Sequence, residues 1–395
     1  MRLPSRHSAL KPGNDWQAKR LRTSAAIRAL ARPLVELISD QRGMWGLPAM
    51  MGIDPGGSYI KRIQTVTITL NGTTSNTATI VAVNTSNTVI FWQGENSTAT
   101  STQYDALARV TLTNSTTVTA YVDTSASSVT VKCTVVEFSS VALVSAVQYG
   151  SITIAASSTS NTATISSVTT SQAVVLFLGF TSSNVAIPDA YPNLTLTNST
   201  TVTATRQGTN DTTTVNFVVC EFSTRLVKSV QHMSHTSTAS GASFTDTISS
   251  VSTDNTILLY QGIKTAGTTP SVVFFTLELT NSTTVTLTKQ TTNTSTRTIK
   301  YIVLEFQPGI LARAIQRGTI SLTTSQGSQT ATIVAISTTR GIANFCNARQ
   351  SSTSVEPDKS YFHLSLTNKT TITAQRSSAS SALAAAVSYE AIEFR

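Results

Sequence analysis

Charged residues are scarce in this chain of 395 residues, of which they form only 12%. Cysteine is also scarce, since only Cys133, Cys220 and Cys346 occur, widely separated. No apolar run approaches the length of a membrane span. The first fifty residues carry charges and lack the uninterrupted apolar stretch of a secretory signal. These absences argue against a disulfide framework, a membrane span and signal-directed export, and they predict assembly in a reducing cytoplasm.

Enzyme signatures are lacking too. The chain has no phosphate-binding G-x-x-x-x-G-K-S/T, no H-E-x-x-H, no C-x-x-C and no G-x-S-x-G. His232 and His235 in QHMSH are the one pair with metal-like spacing. Residues three apart on an extended segment face opposite sides, so we interpret both as solvent-facing strand residues. We expect no enzyme activity, no catalytic residue, no metal and no cofactor.

Positive charge is concentrated at the N-terminus. Residues 1–63 contain eleven Lys or Arg and four Asp or Glu, whereas residues 64–395 contain seventeen and fifteen. The stretch DWQAKRLRTSAAIRALA predicts a helix with an apolar face that must be covered. We predict that residues 1–57 anchor the chain to a protein partner, in preference to nucleic acid or a membrane surface. The predicted anchoring residues are Trp16, Arg20, Leu21, Arg28, Leu30, Leu34 and Trp45.

One phrase occurs four times in the rest of the chain. It reads LTNSTTVTA at 112–120 and 196–204, LTNSTTVTL at 279–287 and LTNKTTITA at 366–374. Closing Glu-Phe pairs recur at similar spacing, so the unit is a repeat of about 84 residues. Its asparagines suit a chain reversal, and the phrase predicts a hairpin with threonines outward. The predicted domains are 1–57, 58–138, 139–222, 223–306 and 307–395.

Within a repeat the apolar residues alternate, which predicts about six short antiparallel strands. In the last strand, aligned positions two residues apart are apolar in every repeat, and we assign that face to the core. The sequence therefore predicts a mainly β protein of four tandem antiparallel β-sandwich (Ig-like) repeats behind a basic, partly helical anchor. The linkers between repeats are partly apolar, so we expect them to pack. A rod and a compact block both remain open.

A glutamate closes each repeat, and paired carboxylates are the catalytic groups of glycoside hydrolases. These glutamates occur singly, each before a phenylalanine, so we interpret them as structural groups that bind backbone or a neighbouring basic residue. They are Glu137, Glu221, Glu305 and Glu393. Arg206, Lys289 and Arg376 share one aligned position and are candidate partners, although repeat one has Val122 there.

The phrases IQRGTISL, SQTATIVAI, LTNSTTVTATR and VVCEF resemble modules found in structural proteins of tailed bacteriophages. The resemblance covers residues 63–395 and carries no functional residues. It implies a virion component mounted by its N-terminus, made in the host cytoplasm and released by lysis.

From this resemblance we expect a non-enzymatic tail fibre, baseplate or neck appendage, or head decoration protein. Its expected partners are other virion proteins through residues 1–57 and copies of itself in a symmetric ring or trimer. The alternative is a carbohydrate-binding array for the host surface, although the aromatic content of 6% is low for sugar sites. A hydrolytic tail enzyme is a third hypothesis, and the sequence contains no motif for it.

Overall fold

Short segments of alternating apolar and β-branched residues form strands along the whole repeated region, as their pattern predicts. A computed structural model describes residues 58–395 except 184, 185, 293, 352, 354, 355 and 380–382. The structure is mainly β, with 55% strand and 7% helix. The predicted N-terminal helix lies outside the described residues.

Each repeat contributes six strands, numbered here along the chain. Repeat one contains β1 (Ile60–Leu70), β2 (Ser75–Thr79), β3 (Thr88–Ser97), β4 (Arg109–Asn114), β5 (Thr117–Tyr121) and β6 (Val129–Phe138). Repeat two contains β7 (Gln148–Ile154), β8 (Ser160–Thr164), β9 (Ala173–Ser182), β10 (Asn193–Asn198), β11 (Thr201–Thr205) and β12 (Thr213–Glu221). Repeat three contains β13 (Val227–Ser237), β14 (Ser243–Thr247), β15 (Thr256–Thr265), β16 (Thr276–Asn281), β17 (Thr284–Thr288) and β18 (Arg297–Phe306). Repeat four contains β19 (Gln316–Leu322), β20 (Ser328–Thr332), β21 (Gly341–Gln350), β22 (His363–Asn368), β23 (Thr371–Gln375) and β24 (Ala385–Glu393).

Single helical turns precede the fourth strand of each repeat. In repeats two to four they are α1 (Ile187–Ala190), α2 (Pro270–Val273) and α3 (Pro357–Ser360), each with proline in its first turn. Proline fits there because the first helical N–H groups have no partner within the helix. Repeat one has a 3-10 helix, Tyr104–Ala106, at this place. Further 3-10 turns are Thr85–Asn87, Ser140–Ala142 and Thr253–Asn255.

The strands form five sheets, which are the blades of a five-bladed β-propeller. Three blades have six strands, in the orders β1-β6-β3-β22-β23-β20, β13-β18-β15-β10-β11-β8 and β2-β5-β4-β9-β12-β7. Two blades have three, β14-β17-β16 and β19-β24-β21. Every six-stranded blade combines three strands from one repeat with three from another, and β3 of repeat one pairs with β22 of repeat four. The repeats therefore close into a ring.

Glycine makes these junctions possible. Gly94, Gly179 and Gly262 lie at a bulge of β3, β9 and β15, all with positive φ. A Cβ atom on them would lie 2.1, 2.1 and 2.3 Å from a carbonyl oxygen of the adjoining repeat, closer than atoms can approach. The equivalent position in β21 is Asn347, with φ 70°. Because asparagine has a Cβ, it prevents the same approach, and β16 and β21 remain in separate three-stranded blades.

The central strands are buried on both faces. Val215, Phe217 and Val219 of β12 lie in one apolar cluster, whereas Val218 and Cys220 lie in another with residues from all four repeats. The predicted core face is confirmed. The opposite face is also core, which explains the continuous apolar runs such as FVVC, because strands covered on both sides need no alternation.

The predicted four tandem Ig-like β-sandwiches are therefore wrong. Each repeat divides its strands between two sheets, and in three blades these sheets continue into a neighbouring repeat. The burial of both faces and the glycine junctions join the repeats edge to edge. The open choice between a rod and a compact block is resolved in favour of a closed, compact arrangement.

The predicted hairpins are confirmed, but their threonines do not all point outward, since Thr119 is buried. β4 pairs with β5, β10 with β11, β16 with β17, and β22 with β23. At each turn an asparagine side chain accepts a hydrogen bond of 2.9 Å from the N–H two residues later, as in Asn114 and Thr116. Threonine hydroxyls pair across each hairpin, with Thr197 Oγ1 and Thr203 Oγ1 2.5 Å apart.

The linkers pack as expected. Leu143 forms a bridge with Phe222, and Leu311 forms one with Phe394. Both leucines lie in the cluster shared by all repeats. Among the described residues, no helix has the length and hydropathy needed to cross a membrane.

Candidate functional site

The repeated glutamates hold loops. Glu137, Glu221, Glu305 and Glu393 accept hydrogen bonds from backbone N–H groups of Asn84, Thr169, Ser252 and Ser337 at 3.2, 2.9, 2.9 and 2.8 Å. Two of them also form ion pairs, Glu305 with Lys228 and Glu393 with Arg313. The predicted structural role is confirmed, because each carboxylate binds backbone and two of them also bind a basic side chain.

Their suggested basic partners have another role. Arg206 donates to the carbonyl oxygens of Asp189, Ala155 and Ser158 at 2.6, 3.0 and 3.2 Å. Arg376 likewise donates to backbone carbonyls of Gln326, Leu383 and Thr323. Lys289 Nζ donates to the carbonyl of Ala239 at 3.4 Å. The predicted pairing with the glutamates is wrong, and these buried cations instead fasten the loops around them.

His235 does not face solvent as predicted, since its side chain is only 11% exposed and belongs to a polar network inside repeat three. Its Nδ1 lies 2.7 Å from Asp246 Oδ1, and the Tyr301 hydroxyl donates to Asp246 Oδ2 at 2.7 Å. Burial raises the pKa of Asp246, but the hydrogen bonds from His235 and Tyr301 outweigh it, so the net pKa is lowered. The sequence does not predict this acid as a partner of His235, because β14 brings the two together only in the folded chain.

His232 is separate from this network. Its ring Nε2 lies 3.1 Å from the carbonyl oxygen of Thr170 in repeat two. Burial lowers its pKa. The two histidines thus have different partners, and in the described part of the chain no group of three or more His, Cys, Asp or Glu is placed to hold a metal ion.

Four aromatic residues meet where the repeats converge. Trp92, Phe177, Tyr260 and Phe345 occupy the same position of the third strand of each repeat. Trp92 lies 5.5 Å from Phe177 and 5.6 Å from Phe345, and Phe177 lies 5.7 Å from Tyr260, all edge to face. Their regular spacing is visible in the sequence, but only the fold shows that the four rings contact one another.

A cavity of about 30 Å³ lies against this aromatic cluster. Tyr191 and Tyr361 line it and share a hydrogen bond between their hydroxyls. Glu95 also lines it, and burial raises the pKa of its carboxyl well above 4.5 although the Ala108 N–H donates to it at 3.0 Å. The volume suits one or two water molecules but not a sugar ring. We therefore interpret the cavity as part of the core.

A larger open groove, of about 260 Å³, crosses the blade shared by repeats one and two. Its walls come from β4, β5, β7 and β12. Arg109, Thr111 and Tyr121 belong to repeat one, and Tyr149 and Asn216 belong to repeat two. Small residues, Gly150 and Ser151, complete the lining. The groove exists only because the two repeats are joined in one sheet.

Arg109 is held in place from three sides. Its Nε donates to Thr181 Oγ1 at 3.2 Å, and Nη1 donates to Asn216 Oδ1 at 3.3 Å. The guanidinium lies 4.7 Å from the centre of the Tyr121 ring. Asn216 is itself fixed, since its Nδ2 donates to the Val110 carbonyl at 3.1 Å. The arginine is thus preorganised as a hydrogen-bond donor.

This cation is not neutralised by an ion pair. Within the described residues, no carboxylate lies within ion-pair distance of Arg109, and Nη2 has no hydrogen-bond partner. Partial burial lowers the pKa of Arg109, and the negative charge of Asp123 opposes that shift. The groove therefore presents a fixed, partly desolvated positive charge beside the ring of Tyr121, a combination that suits an anionic ligand with apolar C–H surface.

The other repeats lack this combination. Arg109 corresponds to Asn193, Thr276 and His363, while Tyr121 corresponds to Thr205, Thr288 and Gln375. Tyr149 corresponds to Thr65, His232 and Arg317. The sequence signal for the groove was that these residues differ from their equivalents in the other repeats. The strands that carry these residues belong to two repeats, so the sequence does not show that they lie together.

The predicted anchoring residues Trp16, Arg20, Leu21, Arg28, Leu30, Leu34 and Trp45 all lie outside the described residues, so the anchor remains a prediction. Comparison of the sequence with protein-family models and with curated proteins finds no match.

Proposed function

We propose that the protein is a non-enzymatic structural protein of a bacteriophage particle, either a tail fibre, a baseplate or neck appendage, or a head decoration protein. In this proposal residues 1–57 attach it to other virion proteins and the ring of repeats is exposed on the particle. The resemblance of the repeated phrases to tailed-phage modules motivates the virion assignment.

The observation that carries the proposal is the closure of four repeats into one ring. Closure leaves the four Asn-Thr hairpins exposed at their turns while the central strands are fully buried. A rigid body with a polar, weakly charged surface suits repeated display on a particle and has little attraction for nucleic acid. Ring closure within one chain does not bear on the predicted ring or trimer of copies, which remains a prediction.

The experiment compares particles assembled with the full chain and particles assembled in the presence of a chain that lacks residues 1–50. Antibody raised against residues 58–395 is applied to intact particles with immunogold detection. We expect label on the wild-type particle and none with the truncated chain, even though that chain remains soluble and folded. Incorporation of the truncated chain at the normal copy number would contradict the anchor, and absence of label from wild-type particles would contradict surface display.

Recognition of a host-surface carbohydrate is a second candidate function. The observation that favours it is the groove between repeats one and two, with its tyrosines and preorganised arginine. Repeat four, the copy that departs most from the sequence pattern, does not line this groove.

A further inference from the structure

The geometry points to the groove of Arg109, Thr111, Tyr121, Tyr149 and Asn216 as a binding site for a carboxylate-bearing sugar, such as a uronic acid unit of a surface polysaccharide. The inference rests on the second candidate function, carbohydrate recognition, and names its site and ligand class.

The charge of the ligand follows from Arg109. Elsewhere in the described chain, Arg206 and Arg376 use their guanidinium groups on backbone carbonyls, and Arg313 and Arg317 pair with Glu393 and Glu390. Arg109 differs from these four because its Nε and Nη1 donate to neutral side chains, which orient the group without cancelling its charge. Arg349 is also held by a neutral hydroxyl, that of Thr276, but it does not line the groove. A carboxylate is the planar acceptor that fits the remaining edge of such a guanidinium.

The sugar part follows from the aromatic residues. Tyr121 is partly exposed and lines the groove. Tyr149 also lines it, but its ring packs against the apolar cluster shared by the repeats, so only part of this ring forms the floor of the groove. The hydroxyl of Tyr149 donates to the Thr88 carbonyl at 3.2 Å, which fixes its ring. Tyrosine rings bind C–H surfaces at little cost in side-chain entropy, and Thr111 and Ser151 supply hydroxyls nearby. An inorganic anion would use the arginine but not the rings.

The size of the groove is compatible with one or two sugar units. Its volume of about 260 Å³ is close to the lower end of the range for small-ligand sites. Because it is open to solvent, a longer chain can extend from both ends. Binding should therefore tolerate different polymer lengths but require the carboxylate.

The experiment is isothermal titration calorimetry of the full-length protein with a galacturonic acid trisaccharide, a neutral glucose trisaccharide and sodium phosphate. The variants are R109A, which removes the cation, and Y121T, which installs the residue found in repeats two and three. R340A is the matched control because it removes the same charge from an exposed side chain outside the groove. Unfolding curves verify that each variant is folded.

We expect saturable binding of the acidic trisaccharide, no binding of the neutral one, and an affinity about tenfold or more weaker in R109A. Y121T should also weaken binding, whereas R340A should match the wild type. Equal affinity for phosphate and the trisaccharide would overturn the sugar assignment, and wild-type affinity in R109A would overturn the assignment of the groove as the site.

Binding to isolated host polysaccharide separates this site from the wider function. If the wild-type protein and R109A bind the polysaccharide equally, carbohydrate recognition stands and the groove assignment is wrong. If neither the trisaccharides nor the polysaccharide bind, both fail, and the virion role is judged independently by the immunogold experiment.

Discussion

At the residue scale, individual side chains distinguish repeats that are otherwise alike. Asp246 in repeat three stands where the other repeats have Ala78, Ala163 and Ala331. There it accepts hydrogen bonds from both His235 and Tyr301. A partly buried acid that accepts hydrogen bonds in this way contributes to stability because its ionised form is preferred in the folded chain.

The first prediction concerns the pH dependence of that contribution. The pKa of Asp246 is lowered from 3.8 in the folded protein, so its stabilisation is complete above 3.8 and is lost as pH falls through the lower folded value. We expect Asp246→Ala to reduce the free energy of unfolding at pH 7 by about 1 to 3 kcal/mol. The deficit should shrink in acid.

Urea unfolding of the wild type and the variant between pH 2.5 and pH 7 measures this dependence. These limits lie on either side of the usual aspartate pKa of about 4. Asp254→Ala is the control, because Asp254 is an exposed acid of the same repeat and makes no side-chain hydrogen bond within the described residues. A deficit that stays constant across the whole pH range would contradict the proposed ionic contribution.

At the element scale, the junctions between strands of different repeats depend on glycine. Gly94 lies where β3 meets β22, the junction that joins repeat one to repeat four. Its φ of +89° and the Phe362 carbonyl at 2.1 Å from a hypothetical Cβ leave no room for a side chain. At the equivalent position of β21 the residue is Asn347, and there the sheet does not continue into the neighbouring repeat.

The second prediction is that Gly94→Ala destabilises the fold much more than Gly72→Ala. Gly72 also has positive φ, +69°, but nothing lies within 4 Å of its hypothetical Cβ. We expect a loss of about 1 kcal/mol for Gly72→Ala from backbone strain alone. For Gly94→Ala we expect about 2 to 4 kcal/mol, because the clash with the carbonyl adds to the strain.

Urea unfolding midpoints with unchanged slopes would provide the comparison. A similar reduction in the free energy of unfolding for the two variants would show that the close approach at Gly94 does not contribute to stability. A change in slope for Gly94→Ala alone would instead report partial opening of the ring.

At the scale of the whole molecule, stability is shared among repeats. One apolar cluster contains Val89 of repeat one, Val218 of repeat two, Ile302 of repeat three and Ile392 of repeat four. The two ends of the described chain also meet, since Ser58 Oγ donates to the Arg395 carbonyl at 2.8 Å. Removal of one repeat exposes apolar surface in all the others.

The third prediction follows for a chain that ends at residue 306 and so lacks repeat four. We expect no cooperative thermal unfolding transition and marked aggregation, because the shared core loses one side. Supplying residues 307–395 as a separate chain should partly restore solubility. A soluble monomer of residues 1–306 with a sharp transition would show instead that the repeats fold independently, as tandem domains do.

Local structure was predictable from the sequence because it depends on neighbouring residues. Alternation marked the strands, the Asn-Ser and Asn-Lys pairs marked the hairpin turns, and the repeated glutamates were correctly assigned a structural role. Lys289 and its aligned arginines were assigned the wrong partners, because several carbonyls and carboxylates compete for a buried cation and only packing selects among them.

The way in which the repeats join is visible only in the folded chain. A strand that is buried on both faces has the same sequence pattern whether its second face packs within its own repeat or against the other repeats. Tandem sandwiches and a closed propeller therefore cannot be distinguished by this pattern. The groove around Arg109 depends on that choice, since its residues lie on strands of two repeats. Strands, turns and repeat length follow from the sequence through local sterics and hydrophobic periodicity. Closure, and with it the groove, came from long-range burial and from three glycines that allow backbones to touch.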